Sequence, residues 1–142
     1  MFPESLIPAA TINAYLATDY RVKAVEPFVL NVGCASPELA RWFELNRTDS
    51  AAFLTAWNPL SKPTSDSENR AAQQKLLAEV EALGLRWLEG DGRDSSGLWT
   101  AEPSFLIFGI SLEAAKKLAG QFRQNGFVYV GSDAIPRLIL LR

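Results

Sequence analysis

Histidine is missing from the chain altogether, and cysteine and methionine occur once each. Without an imidazole there is no Ser-His or Cys-His nucleophile pair and no zinc site that uses histidine. With Cys34 alone there is no cysteine zinc cluster and no internal disulfide, a usage that suits a reducing compartment. Basic residues are scattered, the nearest thing to a cluster being Lys116-Lys117 with Arg123, and the net charge is −2. A nucleic-acid binder needs a basic stripe to displace counterions from phosphates, and none is present. The longest apolar runs, such as Phe105-Leu-Ile-Phe108, are strand-sized, well short of the roughly 20 residues of a membrane helix. The first basic residue is Arg21, so no charged segment leads an apolar run in the manner of a secretory signal. These absences predict a cytoplasmic protein with neither a nucleic acid nor a membrane as partner.

The nucleotide cradles are missing as well. No Gly-x-Gly-x-x-Gly, Walker A or Gly-x-Ser-x-Gly string occurs, and Glu89-Gly-Asp-Gly-Arg-Asp94 lacks the acidic spacing of a calcium loop. No cofactor and no metal-ligand set is implied. Acid–base work would fall to carboxylates, Tyr, Lys or Cys34.

What is present is an ordinary globular composition, 48% apolar and 21% charged over 142 residues, which predicts one domain spanning 1–142. Leu6 to Ala17 reads as a helix, and residues 20–24 and 28–32 as a hairpin. Ser36-Pro37-Glu38 opens a second helix, with Ser as N-cap and Pro at the first helical position. Its buried face is predicted to carry Leu39, Trp42, Phe43 and Leu45. A strand over 51–57 ends at Asn58-Pro59, and Ser65-Asp-Ser-Glu68 has the capping-box spacing for a long helix closed by Gly84. A short strand at 86–89, a Gly/Asp/Ser-rich loop over 90–100, and a fully apolar strand over 104–110 follow. Ser111 caps a last helix, and 127–130 with 137–141 close the chain as a hairpin. The expected class is α/β (α+β), a mixed β-sheet of about six or seven strands with three to four helices.

Strand direction then locates a site. If the helices are crossovers that restore a parallel direction, the strands ending near Val32, Trp57 and Glu89 finish at one edge, where those starting at Ser104 and Phe127 begin. That edge gathers Asn31, Cys34, Trp57, Asn58, Glu89, Asp91, Trp99, Glu102, Gln124 and Asn125. Ligands of open α/β sheets favour such an edge. Glu102 is the candidate acid or base, with Glu89 as a second carboxylate flanking the same hairpin loop and able to raise its pKa. Trp57 offers a stacking face, and Asn58, Gln124 and Asn125 offer amides. Each has a plainer reading too: Trp57 and Trp99 as core, Glu89 and Glu102 as carboxylates of a solvated loop, Asn58-Pro59 as a strand terminator, Asn125-Gly126 as a turn, Glu68 as a capping partner, Asn69 and Arg70 as exposed polar residues rather than ones facing the edge, Cys34 as a small buried one.

The strings Phe53-Leu-Thr-Ala-Trp-Asn-Pro59, Ser65-Asp-Ser-Glu-Asn69, Leu83-Gly84, Glu89-Gly90, Gly92-Arg-Asp94, Glu102-Pro-Ser104, Phe122 and Gln124-Asn125 resemble a bacterial family known as domain of unknown function 3293. The likeness extends over most of residues 14–141. It implies a small bacterial protein and no particular activity. It departs from the family pattern after the Gln-Asn pair, where Ala is frequent and this chain has Gly126. The resemblance shares Trp57, Asn58, Glu102, Gln124 and Asn125 with the edge deduced from strand direction. The functional expectation is a small-molecule-binding domain with a polar and aromatic site at one sheet edge. The alternative is a non-catalytic interaction or regulatory module that uses the same surface for a protein partner.

Overall fold

The computed structural model describes residues 5–94 and 101–142. Helix α1 (Ala9–Leu16) leads into strands β1 (Thr18–Val22) and β2 (Phe28–Leu30), then helix α2 (Pro37–Asn46) and strand β3 (Ala51–Leu54). A single 3-10 turn, Pro59–Ser61, precedes helix α3 (Asp66–Ala82). Strands β4 (Trp87–Asp94) and β5 (Glu102–Phe108), helix α4 (Leu112–Gln121), and strands β6 (Gly126–Val130) and β7 (Pro136–Leu140) complete the chain. The three expected caps form: the hydroxyls of Ser36, Ser65 and Ser111 accept from the N–H groups of Leu39, Glu68 and Ala114. Among the described residues no helix is long and apolar enough to cross a membrane.

The α/β class, the seven strands and the four α-helices match expectation, but strand directions do not mix. Every neighbouring pair is antiparallel, in the order β2-β1-β4-β5-β3-β6-β7. The helices do return the chain to its starting direction, only not to the adjacent strand. β3 and β4, joined by α3, flank β5; β5 and β6, joined by α4, flank β3. This is the split βαβ arrangement, and β3 to β6 together form the ferredoxin-like βαββαβ unit. The hairpin β1-β2 extends it at one side and β7 at the other. Because β2, β3 and β4 still share a direction opposite to β5 and β6, the edge deduced from the sequence survives the change of neighbours.

Side chains alternate between faces along each strand. One face buries Leu54, Phe105, Ile107 and Phe127 beneath Leu76 and Val80 of α3 and Ala115 and Leu118 of α4. The other buries Val22, Leu30, Phe53, Leu106, Phe108 and Val128 beneath Leu39 and Phe43 of α2. Leu45 points away from this core, 78% exposed, because the i, i+4 pair Leu39 and Phe43 sets the buried stripe. On this second face α2 covers only one end. The opposite end lies under α1, whose Ile12 packs with Ile7 and Leu138.

The stretch 90–94, expected as loop, is strand. β4 runs on to Asp94 because β1 pairs along its outer side from Thr18↔Asp94 to Val22↔Gly90. The glycine composition that suggested a loop has a packing cause. A Cβ at Gly90 would lie 2.5 Å from the Arg21 carbonyl oxygen and 2.8 Å from the Phe53 ring. Gly126 is required for the same reason: a Cβ there would sit 2.4 Å from the Ile139 carbonyl oxygen of β7. An Ala at this place would clash with the added strand.

Candidate functional site

Between the uncovered end of the sheet and α1 lies a cavity of about 490 Å³. Its floor is the sheet face itself, with Phe53 and Thr55 from β3 and its extension, Gly92 and Asp94 from β4, Glu102 and Ser104 from β5, and Val128 and Leu138 from β6 and β7. Thr18 and Tyr20 of β1 form one wall, Thr11 and Tyr15 of α1 the roof, and Trp57, Asn58, Ser61, Pro63 and Gln124 the mouth. Tyr20 meets Phe53 edge to face, ring centres 5.3 Å apart.

Glu102 sits half-buried on this floor. Asn58 Nδ2 donates to Glu102 Oε1 at 3.3 Å. Burial raises the Glu102 carboxyl pKa above its ordinary value, and the Asn58 hydrogen bond opposes that rise without cancelling it. Asn58 is itself fixed from behind. Its Oδ1 accepts from Asn69 Nδ2 (2.8 Å) and from the Thr64 N–H (3.1 Å), and its own N–H donates to Asn69 Oδ1 (2.8 Å). Asn69, 1% exposed in the first turn of α3, also donates to the Thr64 carbonyl. One turn on, Gln73 Oε1 accepts from the Ala56 N–H and Gln73 Nε2 donates to the Pro103 carbonyl. The start of α3 thus pins the end of β3 to the start of β5. Asn69, which the sequence leaves open between facing the edge and an ordinary exposed position, is a hub of the site.

The mouth is conformationally costly. Asn58, Leu60 and Ser61 all have positive φ (46°, 58° and 59°) and none is glycine. Such backbone persists only where surroundings over-determine it, and it concentrates at functional sites. Here the restraints are the Asn58–Asn69 pair, the Leu60 N–H bond to the Arg123 carbonyl (2.7 Å), and a clasp built on Asn125. The Asn125 amide nitrogen donates to the Tyr15 and Ser61 hydroxyls, which also bond each other, while Asn125 Oδ1 accepts from Arg142. Gln124 Nε2 donates to the carbonyls of Trp57 and Phe122, both at 3.3 Å.

Of the sequence-derived candidates, Trp57, Asn58, Glu102 and Gln124 therefore line one cavity, and Asn125 ties its roof to its mouth. Glu89 does not join them. It pairs with Phe105, three positions from the Gly92↔Glu102 pair, and points from the opposite face, where it is exposed. Its proximity to Glu102 was deduced from a short β4; the longer strand separates them. Asp91 lies on that opposite face as well, in a two-pronged ion pair with Arg21 at 2.6 and 2.9 Å. Asn31 bonds Asp19, and Cys34 is exposed rather than buried. Trp99 falls outside the described residues.

Sequence reasoning missed Tyr15, Thr18, Tyr20, Thr55 and Asp94. Strand parity could have found Thr18 and Tyr20, which share a face with the core residue Val22. An asparagine inside a helix, where it is an indifferent former, was the available signal for Asn69.

A family model described as protein of unknown function (DUF3293) matches residues 54–126, about half of the chain. The chain belongs to this family. The DUF3293 match takes in the mouth, the Asn58–Asn69 hub, Glu102, Ser104 and Asn125, whereas Tyr15, Thr18 and Tyr20 lie before it. The searches of curated proteins and of solved structures give no match.

Proposed function

We propose that this member of the family binds a small molecule in the cavity under α1, with Glu102 as the group that anchors the ligand or exchanges a proton with it. The observation that carries the reading is a preformed concave site of about 490 Å³ holding a half-buried carboxyl of raised pKa. Ligand pockets fall in the range of roughly 300–1,000 Å³, and a perturbed acid facing one is the usual mark of a functional site. Asn58 and Gln124 orient the ligand at the mouth, Trp57 gives it an aromatic face, and Asn125 acts at one remove by holding Tyr15 and Ser61. The lone cysteine and the likeness to a bacterial family support a bacterial, cytoplasmic setting. Neither nucleic acid nor membrane belongs to this reading.

A blocking variant tests it. At Gly92 a Cβ would meet Thr18 at 3.6 Å and Tyr20 at 3.9 Å, ordinary contact distances, and the rest of a larger side chain would project into the cavity. A metabolite library read by thermal shift is expected to give compounds that raise the melting temperature of the wild type and not of Gly92→Leu. A ligand at 100 times its Kd stabilises by about 2.7 kcal/mol, which is easily read. If no compound separates the two proteins, the small-molecule reading fails and the interaction module takes its place.

A further inference from the structure

The polarity of the cavity is one-sided. Among the described residues nineteen line it and none is Lys or Arg, in a chain without histidine. Lys62, between the rim residues Ser61 and Pro63, is exposed and does not line it. Arg142 bonds the Oδ1 of Asn125, while the other end of that amide serves the lining hydroxyls of Tyr15 and Ser61. Two acidic residues among those described do line it, Glu102 and, diagonally across β4 and β5 on the same face, Asp94. No described residue hydrogen-bonds Glu102 Oε2, the second oxygen of the carboxyl held by Asn58.

The hydroxyls reinforce this bias. Thr18 donates to the Ala14 carbonyl (2.6 Å), Tyr20 to the Tyr15 carbonyl (2.8 Å), Thr55 to the Pro103 carbonyl (2.7 Å) and Ser104 to the Glu102 carbonyl (3.0 Å). A hydroxyl has one hydrogen and two lone pairs. With the hydrogen taken up by the protein's own backbone, each of these four offers a ligand only acceptor lone pairs. Tyr15, Tyr20, Phe53 and Trp57 add aromatic rings, whose faces attract cations. On this floor an anion would meet lone pairs and a carboxyl, whereas a donor-rich positive group finds acceptors; the donors left over, the Trp57 indole N–H and the second amide hydrogen of Asn58, lie at the mouth. A divalent metal is a poorer fit, since no three metal-ligating side chains converge among the described residues.

We infer that the cavity takes an organic cation, an alkyl- or arylalkyl-ammonium group seated on Glu102 with its apolar part against Tyr20, Phe53 and Trp57. The inference rests on the small-molecule reading and adds the charge of the ligand to it. The test is a charge series on one frame: phenethylamine, 2-phenylethanol and 3-phenylpropionate, titrated near neutral pH into the wild-type protein and followed by the NMR shifts of amides around the cavity. The ammonium is expected to bind at least about tenfold more tightly than the alcohol, with the carboxylate weakest. Glu102→Gln is expected to bring the ammonium down to the alcohol's affinity and leave the alcohol unchanged. Equal or tighter binding of the alcohol or the carboxylate overturns the inference, as does failure of the ammonium to bind. The series is titrated into the wild type, so its outcome does not depend on how the variant folds. If the ammonium fails while the metabolite library yields a cavity ligand, only the charge assignment falls. If neither gives a ligand, the site itself falls.

Discussion

The two faces of the sheet solve the same problem in different ways. Under α3 and α4, apolar side chains from helices and strands meet directly, and polar groups approach only at the margin, where Gln73 satisfies the ends of β3 and β5. On the other face α2 closes one end in the same manner, but the far end is roofed at a distance by α1, and the strands there present Thr18, Thr55, Glu102 and Ser104. A buried polar group is costly unless it is hydrogen-bonded. On the second face these four groups each bond neighbouring chain, Glu102 through one oxygen alone, and still surround open space. The first face serves stability. The second carries the features of a site at some cost to it.

The contrast is broken most sharply from the dry face. Ile107, fully buried beneath α3 and α4, is expected to cost about 2–5 kcal/mol on truncation to Ala, read by urea denaturation. A loss under about 1 kcal/mol would mean this face is no better packed than its opposite. Next in size is the frame of the mouth. Asn69→Ala removes the partner of Asn58 in a buried position and is expected to destabilise by about 1–3 kcal/mol. Asn125→Ala should cost a similar amount, for it strands Tyr15, Ser61 and Arg142. A neutral result at either would move that residue from the framework into the site.

Glu102 is expected to behave in the opposite sense. Its folded pKa is raised, so its stabilising contribution is complete in acid, below the unfolded value, and is lost as pH rises through the folded value. Glu102→Gln, which stays neutral, should therefore melt at or above wild type at neutral pH, with the gap shifting against the variant in acid. Parallel melting curves across pH would show that the carboxyl is not perturbed. The smallest effect is at Glu89. It is exposed on the opposite face, so Glu89→Gln should change stability by less than about 0.5 kcal/mol and leave cavity ligands unaffected.

The sequence made the helices and the polar edge legible because both depend on short-range chemistry and on strand direction. Ser36, Ser65 and Ser111 announce their helices locally. Trp57, Asn58, Glu102 and Gln124 come together because direction at a strand end is preserved even when an extra strand is inserted between parallel partners. What was not legible depends on neighbours distant in sequence. Nothing in Gly90-Asp-Gly92 shows that β1 will lie alongside or that a phenylalanine ring from β3 will fill the place of a side chain. Reading that stretch as loop put Glu89 beside Glu102 and hid Asp94. Likewise Asn125 looked like a ligand amide, and only the arrangement of Tyr15, Ser61 and Arg142 shows that both of its ends are occupied.

The parts of the cavity are separated along the chain. The two carboxylates of the floor and the mouth lie within residues 54–126, while the roof and one wall, Thr11, Tyr15, Thr18 and Tyr20, come from a helix–strand unit that precedes them. The acids and the ceiling are thus encoded in separate stretches of chain. On the proposed reading, changes in the short first helix would resize the chamber or admit a bulkier guest while the acid and the amides around it stay where they are, leaving fit and charge to vary independently.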